Sequence, residues 1–199
     1  MQQFVETIKI EDGKALNLNF HQARMESTMR HFFVHTPVPM LSGVLSPTPD
    51  MHFYKARVVY GGQGVEDVQY APYAMREIRS LKLVEDNEID YSFKSTDRTP
   101  LNRLTAQKGD CDEVLIVKNG LLTDTSFTNV AVFDGERWLT PRHPLLMGTK
   151  RASLLERQVI KEADISVETL MNAQKVSLIN AMIDLGEIEI TTQMVNRGL

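Results

Sequence analysis

The stretch Val114-Leu115-Ile116-Val117-Lys118-Asn119-Gly120-Leu121-Leu122-Thr123-Asp124-Thr125-Ser126-Phe127-Thr128-Asn129-Val130-Ala131-Val132-Phe133-Asp134-Gly135 sets the fold class. Its apolar run Val114–Val117 reads as a buried strand, Lys118-Asn119-Gly120 as a hairpin turn and Leu121–Thr123 as the returning strand. Asn129–Phe133 and Arg137–Thr140 continue the series, with Asp134-Gly135 as another turn. Strands that follow one another through tight turns, with few helices between them, argue an α+β fold and not a doubly wound parallel sheet.

Working outward from this stretch, Phe4–Ile10 alternates apolar and polar residues as a half-buried strand and ends at the turn Glu11-Asp12-Gly13-Lys14. His21–Val34 predicts a helix begun near Asn19, with Met25, Met29, Phe32 and Phe33 as its apolar stripe. Thr36–Asp50 holds four prolines and reads as loop or short irregular structure. Phe53–Tyr60 reads as a buried strand closed by Gly61-Gly62-Gln63-Gly64, and Glu66–Tyr73 and Ile78–Val84 complete an antiparallel set. The polar run Glu85-Asp86-Asn87-Glu88 marks the boundary between a small α+β subdomain, 1–88, and a larger β-rich subdomain, 89–199. Beyond it, Arg98–Gln107 reads as a short helix and Val176–Ile179 as a strand leading into Asn180-Ala181-Met182. Gly148–Ala163 predicts one amphipathic helix, with Ala152, Leu155 and Val159 on the inner face and Arg157 and Lys161 outside.

Composition narrows the function classes. The chain has 199 residues, 42% of them apolar, enough for a sizeable core, and its formal net charge of −4 offers no footprint for nucleic acid. No apolar run approaches the roughly 18 residues of a membrane span, and the start Met1-Gln2-Gln3-Phe4 has no secretion signal, so a cytoplasmic protein is expected. The one cysteine, Cys111, has no internal disulfide partner and sits among acidic residues that oppose thiolate chemistry. The five histidines show no HxH or HExxH spacing, so no metal site is expected. No serine stands in a Gly-x-Ser-x-Gly elbow, and Gly61–Gly64 fits neither a dinucleotide fingerprint nor a P-loop.

Two features remain. Gly148-Thr149-Lys150-Arg151 opens a helix, where free backbone N–H groups and the Thr149 hydroxyl make a candidate anion site; plain helix capping is the other reading. Lys94 stands between an aromatic segment and a hydroxyl-rich turn, in Tyr91-Ser92-Phe93-Lys94-Ser95-Thr96-Asp97-Arg98. Partial desolvation would make such an amine nucleophilic, while a solvated loop lysine is the alternative.

The order of these signals resembles the class IV aminotransferases, the fold-type IV pyridoxal-phosphate (PLP) enzymes. That group includes branched-chain and D-amino-acid aminotransferases and 4-amino-4-deoxychorismate lyase. The resemblance runs from Phe4 to Leu185 and is strongest from Tyr91 to Met182. It implies that Arg24, in His21-Gln22-Ala23-Arg24, contacts the cofactor phosphate and that Lys94 binds PLP covalently and shuttles a proton. It further implies that Asp124, in the place of the family's glutamate and followed five residues on by Asn129, faces the pyridine nitrogen. Gly148, Thr149 and Lys150 would close the phosphate cup, and Asn180-Ala181-Met182 resembles the segment that completes it. A two-subdomain subunit with the site between its halves, and a homodimer, are implied as well. The types suit these roles: a primary amine for the covalent bond, a carboxylate to keep the ring nitrogen protonated, fixed positive charge for a phosphate dianion.

Within the family, Lys94-Ser95-Thr96-Asp97-Arg98 is more similar to the lyase and D-amino-acid aminotransferase patterns than to the branched-chain one. A lyase that eliminates pyruvate to leave 4-aminobenzoate is the leading expectation. An amino-acid aminotransferase using a 2-oxo acid is the alternative; Arg57 is a candidate for the substrate carboxylate in either reaction, with a structural ion pair as the favoured reading of that residue. A non-catalytic relative acting as a binding module is the third reading.

Overall fold

In Phe4–Glu11 (β1) the residues of one parity, Phe4, Glu6, Ile8 and Ile10, are all buried, the period of two of a strand with one face on a core. The chain turns through Asp12 and Gly13, both at positive φ, into Lys14–Ala15 (β2). Leu18–Phe32 (α1) buries His21, Met25, Thr28 and Met29, at the spacing of one helix face. Leu41–Val44 (α2) makes one helical turn inside the proline-rich segment expected as loop or short irregular structure. Phe53–Gly61 (β3) pairs antiparallel with β1 along its whole length, from Phe4 opposite Tyr60 to Glu11 opposite Phe53. Gly64–Pro72 (β4) returns beside it, giving a four-stranded sheet in the order β2-β1-β3-β4. Phe4, Ile8, Ile10, Met25, Met29, Leu41, Val58 and Tyr60 form the core beneath it.

The computed structural model describes residues 2–197. These form two units: one takes the residues up to Met75 together with Phe93–Asp97, the other Arg76–Ser92 and the residues from Arg98 onward. The chain therefore changes unit after Met75 and revisits the first at Phe93–Asp97, instead of changing once at the polar run 85–88.

The second unit holds Leu81–Glu85 (β5), Thr99–Thr105 (α3), Glu113–Lys118 (β6), Leu121–Thr125 (β7), Asn129–Phe133 (β8) and Trp138–Pro141 (β9). Thr149–Glu156 (α4), Ile160–Ala163 (β10), Val167–Asn172 (α5), Lys175–Ile179 (β11), Glu189–Thr191 (β12) and Val195–Asn196 (β13) follow. Among the described residues the strands build a nine-stranded sheet in the order β10-β9-β8-β7-β6-β5-β13, with β11 beside β8 and β12 on β11. No helix of the described residues is long and apolar enough to cross a membrane.

The sheet is mixed, which corrects two sequence expectations. β5 does not extend the antiparallel set of β3 and β4; it lies parallel to β6, from Leu81 opposite Glu113 to Glu85 opposite Val117. The connection between them passes through α3, and a long crossover is what parallel neighbours require. The expected helix Gly148–Ala163 stops at Glu156. Gln158 adopts φ 56, which no continuing helix tolerates, and Ile160–Ala163 becomes a strand parallel to Trp138–Pro141. The buried face of α4 is accordingly Thr149, Lys150, Arg151, Ser153 and Leu154 instead of the Ala152–Leu155–Val159 stripe. The hairpins came out as read: Asn119 and Gly120, both at positive φ, join β6 to β7 with Lys118 opposite Leu121.

Candidate functional site

In the first unit, the segment Phe93–Asp97 is tied to β1 by backbone and rings. The Val5 N–H donates to the Lys94 carbonyl at 2.9 Å, and Ser95 bridges to Phe4. Phe93 packs edge-on against Phe32, with centroids 4.8 Å apart, and stacks on His31 at the same separation. These contacts anchor the residues on either side of Lys94, so the lysine is set on structure and not on a free loop. Its side chain is partly buried, and its charge acts on His21.

Beside it lies a buried ionic cluster. Glu6 points inward from β1 and is fully buried; Arg24, one turn of α1 beyond His21, donates to it twice, Nε to Oε1 at 2.9 Å and Nη2 to Oε2 at 2.5 Å. His21 Nδ1 lies 2.6 Å from the same Oε2. Burial alone would raise the Glu6 carboxyl, but the Arg24 charge and the hydrogen bonds from His21 and Arg24 prevail and bring it down to about 2. His21 is shifted below its ordinary value, first by burial and further by the Arg24 and Lys94 charges, against the pull of Glu6. The result is a carboxylate that fixes a guanidinium in one orientation, with a second cation, Lys94, in electrostatic reach.

In the second unit, Asp124 on β7 is buried, and both its oxygens are held. Asn129 Nδ2 donates to Oδ1 at 2.8 Å and the Leu146 N–H to Oδ2 at 2.8 Å. Burial is the largest influence and pushes the carboxyl up to about 7, although both hydrogen bonds and the charge of Arg151 oppose it. At neutral pH this carboxylate is poised between its two forms. Gly148 is the N-cap of α4, whose first turn has no side-chain cap and no acidic residue. Thr149 is buried at that end, Lys150 forms a short ion pair with Asp184, and Arg151 reaches Glu162 at 2.6 Å and the Pro141 carbonyl at 2.8 Å.

The sequence-predicted residues therefore gather as Arg24 with Lys94 in one unit and Asp124 with Gly148, Thr149 and Lys150 in the other. Arg57 does not join them: it sits half-exposed on β3 with Asp67 4.0 Å away. A cavity of 240 Å³ in the second unit is lined by Tyr91, Lys118, Thr123, His143 and Leu145, and by none of the predicted residues. Sequence reasoning missed Glu6. Its signal was the strand period: Glu6 has the parity of Phe4, Ile8 and Ile10, and an inward-facing carboxylate demands a buried cation.

Comparison with known proteins places this arrangement. The family described as amino-transferase class IV matches residues 65–189. An uncharacterised protein of Haemophilus influenzae is 37% identical over 186 residues, covering 92% of this chain and 98% of its own. A provisionally assigned aminodeoxychorismate lyase of Schizosaccharomyces pombe is 31% identical over 127 residues, 59% of this chain and 54% of that protein. Among solved structures, a provisionally assigned 4-amino-4-deoxychorismate lyase of Haemophilus somnus superposes with a TM-score of 0.86 at 35% identity, covering 93% of this chain and 98% of that one. With the α+β fold, the ordered motifs and these similarities in hand, the chain belongs to the class IV aminotransferases, a family of PLP-dependent enzymes.

Proposed function

We infer that this chain is a PLP-dependent lyase that eliminates pyruvate from 4-amino-4-deoxychorismate and leaves 4-aminobenzoate. The observation that carries the cofactor part is the placement of Lys94 in the electrostatic reach of the Glu6–His21–Arg24 cluster. The choice of lyase is supported by the relatives bearing that name.

The donor set fits PLP. A phosphate dianion calls for a fixed cation, and the two bonds to Glu6 fix the Arg24 guanidinium in orientation. A ring nitrogen calls for a carboxylate of fixed orientation, and Asp124 is buried and held by the Asn129 and Leu146 donors. In this reading Lys94 binds the cofactor covalently, Arg24 with Gly148, Thr149 and Lys150 holds its phosphate, and Asp124 faces its ring nitrogen. Bound there, PLP supplies an electron sink for negative charge developing at the substrate α-carbon. Lys94 would take the proton from that carbon and deliver it to the oxygen of the departing enol, which leaves as pyruvate. Asp124, once opposite a protonated ring, is held in its charged form. The same reading carries a homodimer in the cytoplasm, the first checked by sedimentation of the purified protein.

The test is direct. Purified protein given PLP should turn yellow, and borohydride should attach the cofactor irreversibly to the peptide containing Lys94, read by mass. Supplied with 4-amino-4-deoxychorismate, it should release 4-aminobenzoate. Consumption of an amino donor with formation of a 2-oxo acid instead would assign transamination. Absence of PLP uptake would overturn the enzymatic reading and leave a binding module.

A further inference from the structure

Asp124 and Asn129 stand opposite one another in the register of β7 and β8. The Asn129 amide donates from Nδ2 to Asp124 Oδ1 and also to the Leu146 carbonyl at 2.9 Å, while the Leu146 N–H donates to Asp124 Oδ2. The three bonds close a ring that grips both carboxylate oxygens from one side. Both side chains are buried, so neither can trade these partners for water.

What fixes the amide in turn is an absence. A β-carbon built on Gly148 would lie 1.8 Å from Asn129 Oδ1 and 3.0 Å from Cγ, well inside any real contact. Gly148 has φ −71, a backbone conformation that every residue adopts, so the glycine is not there for conformational freedom. It is there for room.

We propose that Asn129, seated in the space left by Gly148, is a positioning residue that aims the Asp124 carboxylate and supports its negative charge. This gives Gly148 a role other than anion binding at the start of α4. The proposal rests on the PLP reading only for what Asp124 faces; the hydrogen-bonded ring belongs to the chain itself. A shorter carboxylate in the place of glutamate has less freedom to find its partner, so its aim must be set by its neighbours.

The experiment follows the Asp124 carboxyl by 13C NMR in the full chain without added cofactor, its signal assigned through Asp124→Asn. Removing a donor from a charged acceptor favours the protonated form. In Asn129→Leu the titration midpoint should therefore move upward from about 7, with its ionisation constant falling about tenfold or more. Gly148→Ala, whose methyl displaces the amide, should shift it in the same direction and add nothing on top of Asn129→Leu. A merely structural asparagine would cost stability and leave the midpoint alone. An unchanged midpoint in Asn129→Leu overturns the proposal; if that variant does not fold, an unchanged midpoint in Gly148→Ala does so. PLP uptake by the unsubstituted protein is scored in parallel. A shift without uptake supports the positioning role and sinks the enzymatic reading, and uptake without a shift does the reverse.

Discussion

Glu6 and Arg24 meet at two points, with the carboxylate fully buried and the guanidinium only 13% exposed. Water cannot substitute for either partner, and His21 adds a third contact to the same acid. A β-strand and a helix face are thereby locked to each other through charge as well as packing.

The lock has an acid limit. The Glu6 carboxyl is held at about 2, below its ordinary 4.5, so between those values the unfolded chain binds the proton more readily than the native one. The pair's contribution is present above pH 4.5 and lost as pH falls towards 2. His21, shifted down from 6.5, acts in the same direction from that pH downward. Glu6→Gln should cost about 3 kcal/mol at pH 7 by leaving Arg24 without its counter-charge. In urea titrations, the gap between this variant and the natural chain should close as pH drops from 5 to 3.

Asp124 runs the other way. Its carboxyl is raised from 3.8 to about 7 by burial, so the native state holds the proton where the unfolded chain has released it. Stability is lost as pH rises from 3.8 to 7. Relative to the natural chain, Asp124→Asn without cofactor should gain on the order of 3 kcal/mol between pH 4 and pH 8, whatever its offset at pH 4. Thermal midpoints across that range check this; a constant difference would mean that the acid is not buried as described.

Arg24→Lys keeps the charge but not the two-point grip on Glu6, since an ammonium cannot match the planar fork. PLP retention on dialysis should weaken by about tenfold or more, the worth of one lost charge-assisted bond. Lys94→Ala should abolish borohydride attachment altogether while leaving the far-UV spectrum of the chain unchanged. Spectra of the dialysed proteins at the cofactor's visible band separate the two outcomes.

The strands that carry the candidate site were legible because their signals are local. Phe4–Glu11, Phe53–Gly61 and Asn129–Phe133 announce themselves by alternation or apolar runs, and Asn119-Gly120 can make only a tight hairpin. Lys94, Arg24 and Asp124 are proposed as site residues from their order along the chain. What stayed hidden is set by partners far away in sequence. Leu81–Glu85 looks the same whether its neighbour is Gly64–Pro72 or Glu113–Lys118, and only the α3 crossover decides. The tie between Asn129 and Gly148 spans nineteen positions and depends on a volume, which no pattern of residue types encodes.

The break between α4 and β10 offers a last measurement. Apolar residues at Ala152, Leu155 and Val159 let the sequence pass for one helix, yet Arg157 ends it and Gln158 turns the chain at φ 56. A glutamine in the left-handed region carries a steric cost that glycine does not. That cost is set against the pairing of Ile160–Ala163 with Trp138–Pro141, which a continued helix would forfeit. Gln158→Gly should therefore stabilise the protein by about 0.5–1 kcal/mol, read as a higher urea midpoint with an unchanged slope. Gln158→Ala, which restores helix propensity without relieving the strain, should not. If both variants behaved alike, the turn at Gln158 would not be what stops the helix.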